Sequence, residues 1–298
     1  MFDYRLIDAL DAILREGGFE RAAQALHLTQ SAVSQRLRQL EEQLGQRLLV
    51  RSHPPRATPA AEALLQHVRQ VKALEADLNQ RLQRDSQAQR PRVSIGINAD
   101  SLAIWGEALY RTWQSDGDLL VDFVVDLEEA TLNLLKQGEV MACIALQSEA
   151  LPGCSVSALG SMRYHLVATP GFVQRHLPKG LQPQAIAQAP ALLYNRRDRM
   201  LPDYLTRHGL WQGGSLPTLC VPSSQDYAAF ALAGHGYGIV PEAQCKAALA
   251  DGRLVNLLPG QPLDIPLHWH TWSVKTPLLR RLRQGAQSLA STLLIPPA

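Results

Sequence analysis

The sequence predicts an N-terminal all-α winged helix-turn-helix, a long linker helix behind it, and a larger C-terminal body of α/β class. Three stretches predict this. Phe19 to Leu44 has helical periodicity in two pieces separated by a short corner, residues 60–84 contain neither Gly nor Pro, and from Val93 onward short apolar strands alternate with helical segments.

In chain order, Tyr4 to Arg15 places Leu6, Ile7, Leu10, Ile13 and Leu14 on one helical face, and Gly17-Gly18 ends that helix. The next helix, Phe19 to about Leu26, offers Ala22, Ala23 and Leu26. After the corner at His27-Leu28, Gln30 to Leu44 offers Val33, Leu37, Leu40 and Leu44 at spacings of four, three and four. These two faces can bury each other, because small Ala residues let crossed helices approach closely. Thr29 is placed to cap the second helix.

The opposite face carries Gln30, Ser31, Ser34, Gln35, Arg36 and Arg38. An ordinary amphipathic helix also has a solvated polar face, but this one has no acid before Glu41 and Glu42. Hydrogen-bonding side chains near a helix N-terminus are what a helix entering the major groove requires. Gly45 can end the helix, and LLVRSHPPRAT then gives an extended run, a Pro54-Pro55 corner and two arginines, Arg51 and Arg56, suited to phosphate or minor-groove contact. The candidate DNA contacts are Thr29, Gln30, Ser31, Ser34, Gln35, Arg36, Arg38, Arg51 and Arg56.

A chain of 298 residues that is 46% hydrophobic is too apolar to be disordered and long enough for two or three compact units. The net charge is only +2, so nucleic-acid binding must come from a local patch. Between Ser34 and Arg56, five arginines against two glutamates give a local +3. The opening residues include an acid where a signal peptide would be basic, and no apolar run approaches membrane-spanning length, so a cytoplasmic, nucleoid-associated protein is expected. Cys143, Cys154, Cys220 and Cys245 are widely spaced and read as reduced thiols.

Thr58-Pro59 supplies a cap and an N1 proline for a helix running to about Arg84. Its apolar stripe is narrow for its length, which predicts a dimer seam through Leu64, Val68, Val71, Leu74 and Leu78; the alternative is packing on its own chain. The polar, proline-broken RDSQAQRPR marks a domain boundary. The expected domains are residues 1–58 (winged helix), 59–91 (linker) and 92–298. In the last, strands are expected at Val93 to Ile97, Leu119 to Val125, Met141 to Leu146, His165 to Thr169, Leu192 to Tyr194, Thr218 to Val221 and Tyr237 to Val240, with a final helix from Thr276-Pro277 to about Leu294.

The order AAQALHLTQSAVSQRLRQLEEQLGQRLLVR resembles the winged helix of LysR-type transcriptional regulators, a long and gapless motif. INADSLAIW, QGEVMACIALQSEALPGC, LGSMRYHLVATP, VPSSQDY and PLHWHTW resemble, within that family, the branch that regulates arginine and lysine export and is also known as an inhibitor of chromosome initiation. The resemblance implies two α/β lobes like a periplasmic binding protein, residues 92–163 with 268–298 and residues 164–267, and an effector cleft between them. It also implies a homodimer or dimer of dimers on promoter DNA, contact with RNA polymerase, and L-lysine or L-arginine as effector with no other cofactor. A chromosome-architecture protein that coats DNA without effector control is the alternative.

Residues at strand ends supply the candidate effector site. Asn98, Asp100 and Ser101 open a helix after the first strand, Ser223 and Ser224 repeat that arrangement in the other lobe, and helix starts bind anions such as a carboxylate. Asp126 and Glu128 follow another strand and could receive a cation, although acids opening a helix also suit its dipole. Leu127 departs from the family pattern, in which that position is usually acidic. His268 and His270 share a strand face without a third ligand nearby, and Gly234 to Gly238 reads as a turn. With no P-loop and no G-x-S-x-G, an enzyme reading has no motif.

Overall fold

The structure, a computed structural model, describes residues 3–50, 52–82, 92–114, 119–126 and 128–297; for residues 72–73, 76–82 and 128–130 only the backbone is described. Helix α1 (Tyr4–Glu16) is capped by Asp3, which accepts from the Arg5 N–H at 2.9 Å. Helices α2 (Phe19–Ala25) and α3 (Gln30–Leu44) follow, and His27, at φ 53, makes the bend between them. Leu10, Ile13, Ala22, Val33 and Leu40 are fully buried where the three helices meet. The wing is an antiparallel pair, β1 (Leu49–Val50) and β2 (Arg56–Ala57). Glu41 fastens it to α3, accepting from the Leu48 N–H at 2.8 Å and pairing with Arg47 at 3.1 Å.

The linker helix α4 (Pro59–Leu82) starts at Thr58, whose hydroxyl accepts from the Ala61 N–H at 3.3 Å and donates to the Arg47 carbonyl at 3.0 Å. Here the dimer-seam expectation needs correction. Leu64 and Val68, together with Ala61 and Leu65, are buried in the core of their own winged helix, because α4 crosses back over α1. Val71 is half-buried, Leu74 is 45% exposed, and the Leu78 side chain lies outside the described set. The first turns of the stripe therefore complete the small domain, and Leu74 lies outside that core.

The body contains β3 (Arg92–Ile97) and then a continuous helix made of α5 (Ala99–Ser101), a π-helical turn (Leu102–Gly106) and α6 (Glu107–Gln114). Next come β4 (Leu120–Val125), α7 (Glu128–Gln137), β5 (Ala142–Ala145) and β6 (Cys154–Ala168). The second lobe adds α8 (Pro170–His176), α9 (Pro183–Gln188), β7 (Ala191–Leu193), α10 (Met200–Arg207), β8 (Thr218–Cys220), α11 (Ser224–Leu232), β9 (Gly238–Pro241), α12 (Glu242–Ala250) and β10 (Val255–Asn256). The chain returns through β11 (Leu263–Trp272) and closes with α13 (Pro277–Leu293). The main sheet has the order β10-β6-β11-β5-β3-β4 with β9 also on β6, and β7 and β8 form a separate parallel pair. Trp105, Trp113 and Trp269 are buried in the first lobe, where the Trp113 indole donates to the Leu282 carbonyl at 2.9 Å and holds α13 on α6.

Three strands differ from expectation: β10 is not among the expected strands, β11 is expected only as the strand face of His268 and His270, and β6 is longer than expected. The sequence suggests His165 to Thr169, but β6 begins at Cys154. Ser155, Ser157, Gly160 and Ser161 dilute its apolar signal, and pairing with β11 along Leu263–Trp272 supplies the drive instead. These two strands are the crossings near residues 163 and 268. Their register slips at Leu267/His268, opposite Gly160 at φ 134. A Cβ at Gly160 would lie 2.4 Å from the Ile295 carbonyl oxygen, so only Gly fits. Beside it, Ser161 and Ile295 exchange backbone hydrogen bonds of 2.8 and 3.0 Å.

Candidate functional site

The outer face of α3 carries the polar side chains singled out in the sequence. Thr29 accepts from the Ala32 N–H at 3.2 Å and bonds the Ser31 hydroxyl at 3.0 Å, so its side chain is occupied as the cap. Gln30, Ser31, Gln35 and Arg38 are exposed, Ser34 and Arg36 are half-exposed, and Arg56 is exposed on the wing; Arg51 lies outside the described residues. Gln30, Ser34 and Arg38 line a groove with Ser52 and Pro55 of the wing. Arg21 on α2 lines the same groove, a cation that the sequence reading missed because α2 was taken as a packing helix.

The second site lies between the lobes. It is an open cleft whose free space, mouth and adjoining solvent included, is about 630 Å³. From the first lobe it is lined by Asn98, Ala99, Asp100 and Asp126; from the second by Tyr194, Asp198, Met200, Leu201, Ser224 and Tyr227, with Ile239 and Pro241 of β9. Asn98 is the cap of α5, its side chain accepting from the Ser101 N–H at 2.8 Å. Asp100 accepts from the Tyr164 hydroxyl at 2.9 Å and from Ser224, whose hydroxyl also accepts from the Gln244 amide at 3.1 Å. Burial holds the Asp100 carboxyl above the ordinary aspartate value, against the opposing hydrogen bonds, and the nearby Asp198 pushes it the same way.

Two predicted effector residues are placed elsewhere. Ser101 is fully buried behind the cap and is not part of the lining, and its hydroxyl has no hydrogen-bond partner among the described residues. Ser223 is the N-cap of α11, its hydroxyl accepting from the Asp226 N–H at 3.3 Å, which leaves Ser224 to face the cavity. Burial removes Ser101 from the cleft in the first lobe, and capping removes Ser223 in the second. Glu128 begins α7, and its side chain is outside the described set.

The family model for bacterial regulatory helix-turn-helix proteins of the lysR family matches residues 4–62, and the model for the LysR substrate binding domain matches residues 86–292. The chain belongs to the LysR family. Among LysR-family relatives, the HTH-type transcriptional regulator ArgP of Aeromonas salmonicida is 42% identical over 282 residues, 95% of this chain and 94% of its own. The regulator LysG of Mycobacterium tuberculosis (strain ATCC 25618 / H37Rv) is 39% identical over 285 residues, 96% of this chain and 92% of its own. Two solved structures share the architecture. ArgP from Mycobacterium tuberculosis, at 37% identity, covers all of both chains with a TM-score of 0.86. Full-length LysG from Corynebacterium glutamicum, solved with bound effector Arg, is 30% identical and covers 99% of this chain and 100% of its own with a TM-score of 0.81.

As a LysR-family member the chain is a DNA-binding transcription regulator and not an enzyme, and its substrate-binding domain leaves the uncontrolled DNA-coating alternative without support. The remaining motifs have structural roles. His268 and His270 each bond a backbone carbonyl beyond β5, Leu146 at 3.0 Å and Gln147 at 2.8 Å, and no group of three or more His, Cys, Asp or Glu among the described residues could hold a metal. Burial pushes the Cys154 and Cys245 thiols up to about 11 and raises Cys143 as well, which makes them poor thiolates near neutrality. No helix among the described residues is long and apolar enough to cross a membrane.

Asp198, Tyr194, Met200 and Tyr227 are among the lining residues that sequence reasoning missed. Asp198 lies four residues past Tyr194, at the end of a strand that was expected, and its carboxylate accepts from the Tyr194 and Met200 N–H groups, each at 2.9 Å.

Proposed function

We propose that the cleft binds a basic amino acid, L-arginine or L-lysine, and that its occupancy controls how a homodimer, or a dimer of dimers, sits on promoter DNA in the cytoplasm. The observation that carries this reading is the charge of the cavity: Asp100, Asp126 and Asp198 line it, and no Lys or Arg is among its described lining residues. An α-amino acid with a second cation matches three carboxylates, and its own carboxylate can use the helix start at Ser224. Met200, Leu201 and Ile239 suit an aliphatic stem. Arginine bound in the Corynebacterium glutamicum relative supports the same class of ligand.

On this reading Gln30, Ser34 and Gln35 approach base edges while Arg36, Arg38, Arg51 and Arg56 hold phosphates. Val71, Leu74 and Leu78 form what remains of the linker seam, and the regulated genes serve export or metabolism of basic amino acids through contact with RNA polymerase. Calorimetry on the full chain tests the effector assignment. Arginine and lysine should bind more tightly than their uncharged analogues citrulline and norleucine by ~1.5–3 kcal/mol, the worth of a charge-assisted hydrogen bond. Equal affinity within those pairs refutes it.

A further inference from the structure

The linker helix meets the first lobe at a junction built around one side chain. Arg69 on α4 sends one guanidinium nitrogen to the Asp11 carboxylate of α1, 2.6 Å away, and the other to the carbonyl oxygen of Gln137, the last residue of α7. Both ion-pair partners are only 27% exposed. The next residue, Gly138, turns the chain at φ 70, and a Cβ there would lie 2.5 Å from an Arg69 nitrogen. Lys136 pairs with Glu62 of α4 at 3.6 Å beside it. A planar guanidinium can serve two acceptors at fixed angles, which an ammonium cannot, and its positive charge suits a helix C-terminus. Arg69 thus joins the winged helix, the linker and the first lobe.

The other end of α7 reaches the cleft. It starts at Glu128, two residues after Asp126, which lines the cavity. Ten residues of helix span roughly 15 Å, packed on β3 and β5. A shift at the Asp126 end therefore reaches Gln137 through a short hydrogen-bonded rod. We infer that Arg69 is the positioning residue through which the winged helix senses occupancy of the cleft: movement of α7 re-seats the Gln137 carbonyl and, with it, the bond that holds α1 to α4. This rests on the reading of the cleft as an effector site. It also meets the requirement that the two states differ in specific contacts, since a ligand shifts an equilibrium only by its unequal affinity for them.

The test uses the full chain, L-arginine, and a DNA duplex enriched by the wild-type protein from a random library. Arg69→Met and Arg69→Lys should bind L-arginine as wild type does in calorimetry. The factor by which arginine changes DNA affinity should fall in both, from the ~5- to 150-fold typical of linked sites toward unity. Loss in the lysine variant separates the two-acceptor fork from charge alone, and Gly138→Ala, which crowds the same nitrogen, should behave alike. With no amino acid present, the Arg69→Met footprint should already differ from wild type. An unchanged coupling factor, an amino-acid-free footprint identical to wild type, or loss of arginine binding in both Arg69 variants overturns the inference. If wild type itself binds no basic amino acid, the cleft reading fails, and the amino-acid-free footprint still decides the junction.

Discussion

Replacing Asp100 by Asn should move stability and effector affinity in opposite senses. Asp100 receives hydrogen bonds from Tyr164 and Ser224, yet burial dominates and its carboxyl sits above the ordinary aspartate value. A carboxyl whose folded pKa lies above its unfolded value destabilises the fold when ionised. That cost is fully present above the folded pKa and disappears below the unfolded one. At neutral pH, Asp100→Asn therefore removes a charge that the fold disfavours. The amide oxygen can still accept from one hydroxyl, and the other hydroxyl can rotate to accept from the amide nitrogen. The thermal midpoint of the empty protein should hold or rise. Bound arginine would exchange a doubly charged hydrogen bond for one to a neutral amide, a loss of ~1.5–3 kcal/mol, whereas citrulline, whose bond has only the carboxylate charged, should lose less. Arginine should weaken roughly ten- to a hundredfold. Differential scanning calorimetry and isothermal titration of the same preparation read both quantities. A lowered midpoint, or equal losses for arginine and citrulline, would show that Asp100 ties the lobes together and does not recognise a cation.

The same group sets a pH dependence: arginine affinity should fall on acidification, beginning at a higher pH than an ordinary aspartate would give, and Asp100→Asn should flatten that profile in titrations across pH. Arg56→Ala should lower the slope of log affinity against log salt by about one unit for a lost phosphate contact, while Gln35→Ala should change the preferred sequence in a selection experiment. Val71→Asp tests the part of the linker stripe that the winged helix does not use, and sedimentation showing an intact dimer would move the seam elsewhere. Leu40→Ala empties a fully buried position among the first three helices, so it should cost ~2–5 kcal/mol and abolish DNA binding at temperatures where the body stays folded.

The N-terminal module was legible because its signals are local. Thr29 before Gln30, Gly45 after Leu44 and a leucine stripe between them fix α3 at the bounds expected from sequence. The linker was legible as a helix but only partly as a surface, since periodicity cannot say what covers a stripe, and Leu64 and Val68 turned out to face their own domain. In the body, β6 lost its first half to serines and a glycine whose strand conformation comes from pairing with β11, about a hundred residues away. The cleft was half legible. Asn98, Asp100, Asp126 and Ser224 could be reached from strand ends and helix starts, but Asp198 sits in the charged run Arg196 to Arg199, where a lone acid looks like ordinary surface.

Ladder pairing between β6 and β11 decides what kind of motion the body can make. Two separate tethers would let the lobes open like a book, but these crossings are zipped over Leu263–Trp272 into a single ribbon, fastened at its slip point by Ile295. Moving one crossing without the other would break the hydrogen bonds between them, so the two are coupled. On the proposed effector reading, a ligand in the cleft would therefore act on both crossings at once and not on a single tether.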